Sequence, residues 1–188
     1  MANIRGVLFF ALSASGCAFQ AAQAEDCKPL QIVASIDMAP SDDALVAPVT
    51  LNGKPKYMIV DSGGAFSEIT PDTAAELGIT PVHRGFSEVD VTGGSADMLA
   101  TVPDFTLGQL VSHKTVFVVT NNNFGDKIAG LIGPNILKQY DVELDFGAHK
   151  INLLSQDHCE GRVIYWPAPV VAVVPIRVAK LGHISLPV

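Results

Sequence analysis

The sequence predicts an all-β domain with one or two short helices. Short apolar runs rich in β-branched residues recur along the chain between Gly, Pro, Asn and Asp, which is the pattern of strands and turns. Asn52-Gly53 is a dipeptide typical of tight hairpins. One segment, 70–78, has the cap, the proline and the terminating glycine of a helix. The predicted domain occupies residues 25–160 and is followed by an extension at 161–188.

Residues 1–24 have the features of a secretory signal peptide. Arg5 supplies a positive charge, residues 7–14 form a short apolar core, and a cleavage site of the Ala-x-Ala type ends at Ala24. The apolar core is shorter than the roughly 20 residues that a transmembrane helix needs. We therefore expect a periplasmic or secreted mature chain. The alternative is a lipoprotein, with a lipidation box that ends at Cys17.

The composition argues against several kinds of partner. The chain has 12 Lys and Arg against 19 Asp and Glu, a formal net charge of −7 and no basic cluster, which disfavours nucleic acid or an anionic membrane surface. Its length suits one domain with a sizeable core. The spacing of the histidines matches no zinc site, so we predict neither a metal nor another cofactor. The histidines are His83, His113, His149, His158 and His183.

Two cysteines remain once the signal peptide is removed. Cys27 precedes the predicted fold and Cys159 follows its last strand. An even pair in a chain that enters an oxidising compartment favours a disulfide between the N-terminal arm and the C-terminal edge. The alternative is two free thiols.

The first strands lead to an acidic loop. Apolar runs at 30–38 and 44–51 predict two strands, and the tight turn joins the second of them to a strand at 54–60. That strand delivers Asp61 to a loop tip with two glycines, which permit backbone angles that other residues resist. We expect Asp61 at the buried end of the strand.

Further strands complete the predicted domain. Residues 86–102 alternate on both sides of a Gly-Gly pair, which predicts a long hairpin. Runs at 102–107 and 110–120 predict two strands joined by a Gly-Gln turn. Residues 140–154 form two alternating runs about a Gly-containing turn, which predicts a closing hairpin.

Two motifs resemble those of the retropepsin-like aspartic peptidases, which have a single lobe. Asp61-Ser62-Gly63 after an apolar strand is similar to the family's Asp-Thr/Ser-Gly signature, although it is also an ordinary turn sequence. Residues 129–137 resemble the apolar-apolar-Gly segment that passes behind the acid loop and opens a short helix. The elements of residues 45–154 also follow the family's order. The resemblance is to bacterial exported members and implies a closed barrel.

The resemblance also implies a role for each candidate site residue. Asp61 supplies one carboxylate of a pair that holds and activates a water molecule, while Ser62 and Gly63 hold the two acids coplanar. The resemblance implies that the hairpin around Gly93 and Gly94 covers the substrate. The alternative interpretation is a surface hairpin without this role. The remaining candidates line the substrate site with apolar side chains. They are Ile69, Leu131 and Ile132.

A second carboxylate is not evident in the sequence. Asp145 belongs to the closing hairpin, while Asp90 and Asp97 flank the tip of the other hairpin as solvated strand residues. The most economical source is Asp61 of a second copy, across a two-fold axis. Gly64 departs from the small residue, often Ala, that is usual after the signature, and it adds freedom to the loop.

The extension echoes the start of the domain. Residues 186–188 (LPV) align with 47–49 (APV), and residues 174–178 then correspond to the strand at 32–36. Asp61 follows Val49 by twelve residues, so a second acid loop in the same frame would lie at about position 200. The extension therefore either begins a truncated second repeat or is a chance echo.

The expected function is that of an aspartic endopeptidase with a peptide or protein substrate, active as a homodimer or with a second lobe. A serine hydrolase that uses Ser62 is disfavoured because the chain lacks Gly-x-Ser-x-Gly before a helix. A non-catalytic domain that binds an extended peptide by strand addition would also fit these motifs, as would an incomplete half of a two-lobed enzyme.

Overall fold

The computed structural model describes residues 27–41, 43–83, 89–91, 94–161, 163–179 and 184–187, so the predicted signal peptide lies outside the described residues. The strands are β1 (Ile32–Asp37), β2 (Val46–Leu51), β3 (Lys54–Val60), β4 (Glu68–Ile69), β5 (Val82–His83), β6 (Val89–Val91), β7 (Gly94–Ala96), β8 (Met98–Leu107), β9 (Leu110–Val119), β10 (Ile128–Ile132), β11 (Asp141–Asp145), β12 (Lys150–Leu154), β13 (Arg177–Val178) and β14 (Ile184–Ser185). The helices are α1 (Pro71–Glu76) and α2 (Pro134–Leu137).

Six of these strands close into a barrel. They are hydrogen-bonded in the order β2-β3-β10-β4-β9-β8, and β8 pairs back with β2. The β3–β10 and β4–β9 pairs are parallel, and the other pairs are antiparallel. β5 pairs with β8 as an additional strand. The predicted all-β fold with a closed barrel and two short helices is confirmed.

The turn between β2 and β3 shows how local chemistry supports this closure. Asn52 and Gly53 have positive φ angles of 47° and 78°. Two successive residues of this conformation make a hairpin turn whose twist matches that of the flanking strands. Leu51 and Lys54 are therefore paired directly across the turn.

The barrel interior is filled by apolar side chains that alternate with outward-facing residues. On β8, Ala100 and Val102 are fully buried while Thr101 between them is exposed. Phe117 of β9 is also fully buried and meets Phe105 edge-on, with ring centroids 5.6 Å apart. This period of two is the reason that short alternating runs in the sequence predict the strands.

A second sheet of three antiparallel strands has the order β1-β12-β11. Ile151 and Leu153 are buried on its inner face and belong to the same core as the barrel residues. The sheet also carries a polar ladder. Ser35 Oγ donates to Asn152 Oδ1 at 2.7 Å, and Asn152 Nδ2 donates to Glu143 Oε2 at 2.7 Å. These bonds tie all three strands together.

Cys27 and Cys159 form a disulfide, as predicted, with their Cα atoms 4.7 Å apart. The backbone reinforces this link, because Lys28 N donates to Asp157 O and Cys159 N donates to Lys28 O, both at 3.1 Å. The N-terminal arm is thereby joined to the segment that follows β12.

His158 lies beside the disulfide with both ring nitrogens facing acceptors. Nδ1 is 3.0 Å from the Cys159 carbonyl oxygen, and Nε2 is 2.7 Å from Asp141 Oδ2. These acceptors, the carbonyl first, raise the pKa of His158, because only the imidazolium donates both hydrogen bonds. The resulting stabilisation is fully present below the unperturbed pKa of about 6.5, and it is lost as the pH rises through the raised pKa.

The predicted helix at 70–78 is confirmed as α1. Thr70 caps it, because its Oγ1 accepts a hydrogen bond from Thr73 N at 3.1 Å, and Pro71 occupies the first helical position. Gly78 follows its end with a φ of +70°.

The predicted hairpin at 86–102 is present only in part. β6 and β7 pair from Val89↔Ala96 to Val91↔Gly94, so Gly94 belongs to a strand, while Gly93 lies outside the described residues. The second arm continues beyond Ala96, because Met98 and Leu99 at the start of β8 pair with His83 and Val82 of β5. Residues from Met98 onward form β8, because their long register with β9 and their contact with β2 close the barrel.

The extension has little regular structure among its described residues. Among the described residues, β13 and β14 pair only with each other, as Arg177↔Ser185 and Val178↔Ile184. The prediction of a strand at 174–178 is therefore wrong for residues 174–176. In the described part of the chain these residues pair with no other strand. Within the ranges given above, no helix is both long and apolar enough to span a membrane.

Candidate active site

Asp61 stands at the carboxyl end of β3, in the loop between β3 and β4. Its backbone is fixed on both sides of the chain, because Val60 N donates to Leu45 O at 2.8 Å and Asp61 N donates to Ile132 O at 3.0 Å. β10, which runs parallel to β3, therefore holds the start of the acid loop from one side.

The Asp61 carboxylate is oriented by the glycines that follow it. Its Oδ1 accepts hydrogen bonds from Gly63 N at 2.8 Å and from Gly64 N at 3.2 Å. A Cβ at position 64 would lie 2.9 Å from Asp61 Oδ2, closer than real Cβ atoms come. Gly64 therefore leaves room for the carboxylate in this orientation. Asp61 itself is only half-buried, so one face of the group is open to solvent.

Ser67 and Asn135 lock the far end of the loop, and neither was among the residues predicted from the sequence. Ser67 N and Oγ donate to Asn135 Oδ1 at 2.6 and 2.8 Å, and Ser67 Oγ accepts from Gly133 N at 2.9 Å. Ser67 is fully buried, so these bonds satisfy its polar atoms. The sequence feature that could have indicated this contact is a hydroxyl residue and an amide residue close to the two motifs.

The close approach of Gly133 to the acid loop permits a direct test. We expect Gly133→Ala to destabilise the fold by roughly 1–3 kcal/mol or more, because its Cβ would lie 2.4 Å from the Phe66 carbonyl oxygen. Thermal unfolding measures the effect. The matched control is Gly147→Ala, whose Cβ would meet Asp145 Oδ1 at an ordinary 3.4 Å. Equal melting temperatures of the two variants would contradict the expected clash.

The structure places the three predicted apolar site residues in the core. Ile69, Leu131 and Ile132 expose 0%, 2% and 0% of their surfaces. They do not present a substrate-lining surface here, because almost none of their surface is accessible. Their contribution is to support the acid loop from behind.

Three more of the predicted residues take separate positions. Ser62 is exposed and borders a groove next to Asp61. Asp145 Oδ1 accepts from Ala148 N at 2.9 Å, which gives it a structural role in the closing hairpin, and Asp97 pairs with His83 at 2.7 Å. The structure contains no group of three or more His, Cys, Asp or Glu suited to a metal ion among the residues that it describes.

A family comparison agrees with this geometry. Residues 47–136, which run from β2 to α2 and include the acid loop, match the family model described as aspartyl protease. This stretch of the chain is therefore similar to an aspartyl protease domain. This similarity supports a protease-like function.

The chain is also similar to solved structures of retropepsin-like proteins. A retropepsin-like aspartic protease from Rickettsia conorii is 17% identical with a TM-score of 0.45, and the match covers 67% of this chain and 93% of that chain. The retroviral protease-like domain of Ddi1 from Leishmania major is 21% identical with a TM-score of 0.46, covering 60% and 90%. EIAV protease complexed with the inhibitor HBY-793 is 17% identical with a TM-score of 0.42, covering 53% and 90%. No curated protein matches the chain.

Proposed function

We propose that this domain is an aspartic endopeptidase whose active site uses Asp61 as one of two carboxylates. The observation that carries the proposal is the Asp61 carboxylate, which two backbone N–H groups hold in one orientation at the end of a barrel strand. A turn Asp makes similar bonds, but Asp61 is in addition half-buried and its backbone N–H is tied to Ile132 O on β10, which suits a fixed catalytic acid.

The chemistry requires a second acid beside Asp61. A water molecule lies between the two carboxyl groups, the ionised one takes its proton as it attacks the peptide carbonyl carbon, and the protonated one donates to the carbonyl oxygen. Two carboxyls a few Å apart share one proton and titrate as a pair. Activity is therefore expected to favour mildly acidic pH.

The second carboxylate comes from another acid loop, either in a second copy of the chain or in a second lobe. Ser62, which is exposed next to Asp61, is positioned to meet the opposite loop. In the lobe version, the extension, whose residues 186–188 echo residues 47–49, begins that second lobe.

Dilution distinguishes these two sources. If a second copy supplies the acid, specific activity on an unstructured peptide should rise with protein concentration and fall on dilution, because the population of the dimer follows mass action. If a lobe supplies it, the 188-residue chain should be inactive at every concentration. Sedimentation on the same samples reports the mass. A monomer whose turnover does not change with dilution would contradict both versions.

The substrate is proposed to be a peptide or protein that binds under the hairpin of β6 and β7. The compartment is proposed to be the periplasm or the exterior. The features of residues 1–24 and the Cys27–Cys159 disulfide support this location, because disulfides persist in oxidising compartments. The alternative is a non-catalytic domain with the same fold that binds an extended peptide.

A further inference from the structure

The C-terminal arm, defined as residues 163–187, carries most of the exposed apolar side chains of the described residues. Twelve of the twenty exposed large hydrophobic side chains belong to it. Val170 and Val173 expose 84% and 88% of their surfaces, so they contribute almost nothing to packing within the chain. Apolar surface of this extent marks a contact with another protein or with a membrane.

The charge of the arm differs from that of the rest of the chain. Residues 163–187 contain Arg177 and Lys180 and no acidic residue, so all 19 Asp and Glu lie outside the arm. Basic side chains attract the head groups of anionic phospholipids. The formal net charge of −7 disfavours an anionic surface for the chain as a whole, whereas the arm by itself is complementary to one. A contact with such a surface is therefore made by the arm, with the acidic body turned away.

Two aromatic side chains stand at the start of the arm. Tyr165 and Trp166 are 49% and 44% exposed, and their rings meet edge-on with centroids 5.1 Å apart. Tyr and Trp are enriched at membrane–water interfaces because each ring has an apolar body and a polar group. Binding of a segment to a membrane surface scales with the apolar area that it buries and with its attraction to anionic lipid. The arm supplies both contributions.

The backbone of the arm favours a lipid interface over a folded protein partner. Residues 163–176 form neither a helix nor a strand where the structure describes them. A protein interface needs closely matched shapes, whereas fluid lipid adapts to an irregular segment. Three prolines in this stretch carry no N–H group, which reduces the number of donors that lose water on contact; they are Pro167, Pro169 and Pro175. The remaining irregular backbone limits the contact to the interface, because the hydrocarbon core does not accept lipid-exposed irregular chain.

The arm is anchored to the domain at its root. The Tyr165 hydroxyl donates to the Glu143 carboxylate on β11. The hydrogen bond to Glu143, together with burial and the nearby charge, raises the pKa of Tyr165 to about 12, so the hydroxyl remains a donor at any physiological pH. A surface that binds the arm therefore holds the whole domain beside it.

We propose that the C-terminal arm binds peripherally to an anionic phospholipid surface. The exposed valines and Trp166 enter the interface, and Arg177 and Lys180 contact the head groups. This inference goes beyond the proposed function, because binding to lipid needs no acid pair. It places the domain where proteins at a membrane surface are within its reach.

The intrinsic fluorescence of the arm tests this contact directly. Trp166 is the single tryptophan of the chain, so its emission reports on the arm without a label. We expect the mature chain to show a blue-shifted emission and to sediment with vesicles of phosphatidylcholine that contain phosphatidylglycerol. Binding to vesicles of phosphatidylcholine alone should be roughly fivefold to tenfold weaker, and added salt should reduce the difference, because the attraction of the basic residues is screened.

Variants separate the apolar contribution from the charge. Val170→Asp/Val173→Asp should weaken binding to the anionic vesicles by about tenfold or more, because acids replace apolar side chains that enter the interface. Both positions are almost fully exposed, so folding is preserved. The matched control is Val111→Asp/Val116→Asp on β9, at 60% and 46% exposure and outside the arm. Arg177→Gln should weaken binding by about fivefold on anionic vesicles only.

Three results would overturn the inference. They are the absence of binding to either kind of vesicle, equal binding to both kinds, and equal weakening by the two double variants. A mass in solution that changes with the arm variants, without any binding to vesicles, would assign the arm to a protein partner instead. Failure of the proposed function is distinguishable, because vesicle binding is measured without a peptide and does not depend on hydrolysis.

Discussion

Asp61→Asn is expected to remove peptide hydrolysis and leave the fold intact. An amide can neither take a proton from water nor share one with a second acid, so the rate should fall by roughly 10²- to 10⁴-fold or more. The amide oxygen can still accept the hydrogen bonds from Gly63 and Gly64 that orient the native carboxylate. Turnover of an unstructured peptide, followed at mildly acidic pH together with the thermal unfolding curve, checks both parts of this expectation.

The control for this variant is Asp104→Asn, a solvent-exposed strand carboxylate that pairs with His113. It removes one negative charge of the same type away from the acid loop and should retain activity. A transition-state mimic of the statine type should bind the unchanged protein and should lose affinity for Asp61→Asn. Unchanged turnover in Asp61→Asn would rule out the carboxylate mechanism, whatever the behaviour of the control.

Removal of the Cys27–Cys159 disulfide is expected to have the largest effect on stability. The two cysteines are 132 positions apart, and the chain-entropy model assigns such a loop roughly 4 to 5 kcal/mol. For a domain of this size, that corresponds to a melting temperature lower by about 10 °C or more. Thermal unfolding of the Cys27→Ser/Cys159→Ser variant against the unreduced protein measures the change.

Two comparisons make this result interpretable. Alkylation of the unreduced mature protein should label no thiol, whereas two labelled thiols per chain would show that the bridge is absent. Unreduced and reduced samples of the serine variant should unfold at the same temperature, because the reductant then has no bond to break. A serine variant as stable as the bridged protein would contradict the expected contribution.

The sequence by itself determined the features that depend on neighbouring residues. Asn52-Gly53 predicts its turn because both residues tolerate positive φ, and Thr70-Pro71 predicts a helix start because a cap and a fixed φ act within one turn. The acid loop was also evident, because an apolar strand, an acid and glycines are contiguous. The cysteine pair was predicted because only two cysteines follow the predicted signal peptide.

Only the tertiary structure decided what depends on residues far apart in the chain. Ser67 and Asn135 meet across 68 positions, so neither residue's surroundings in the sequence reveal the bond that locks the acid loop. An apolar residue such as Ile69 or Leu131 can line a binding site or belong to the core, and the sequence does not distinguish the two. Their burial in the structure places both in the core. The arm's exposure and the groove beside Ser62 likewise arise from packing, because an apolar run alone does not say which surface, if any, covers it.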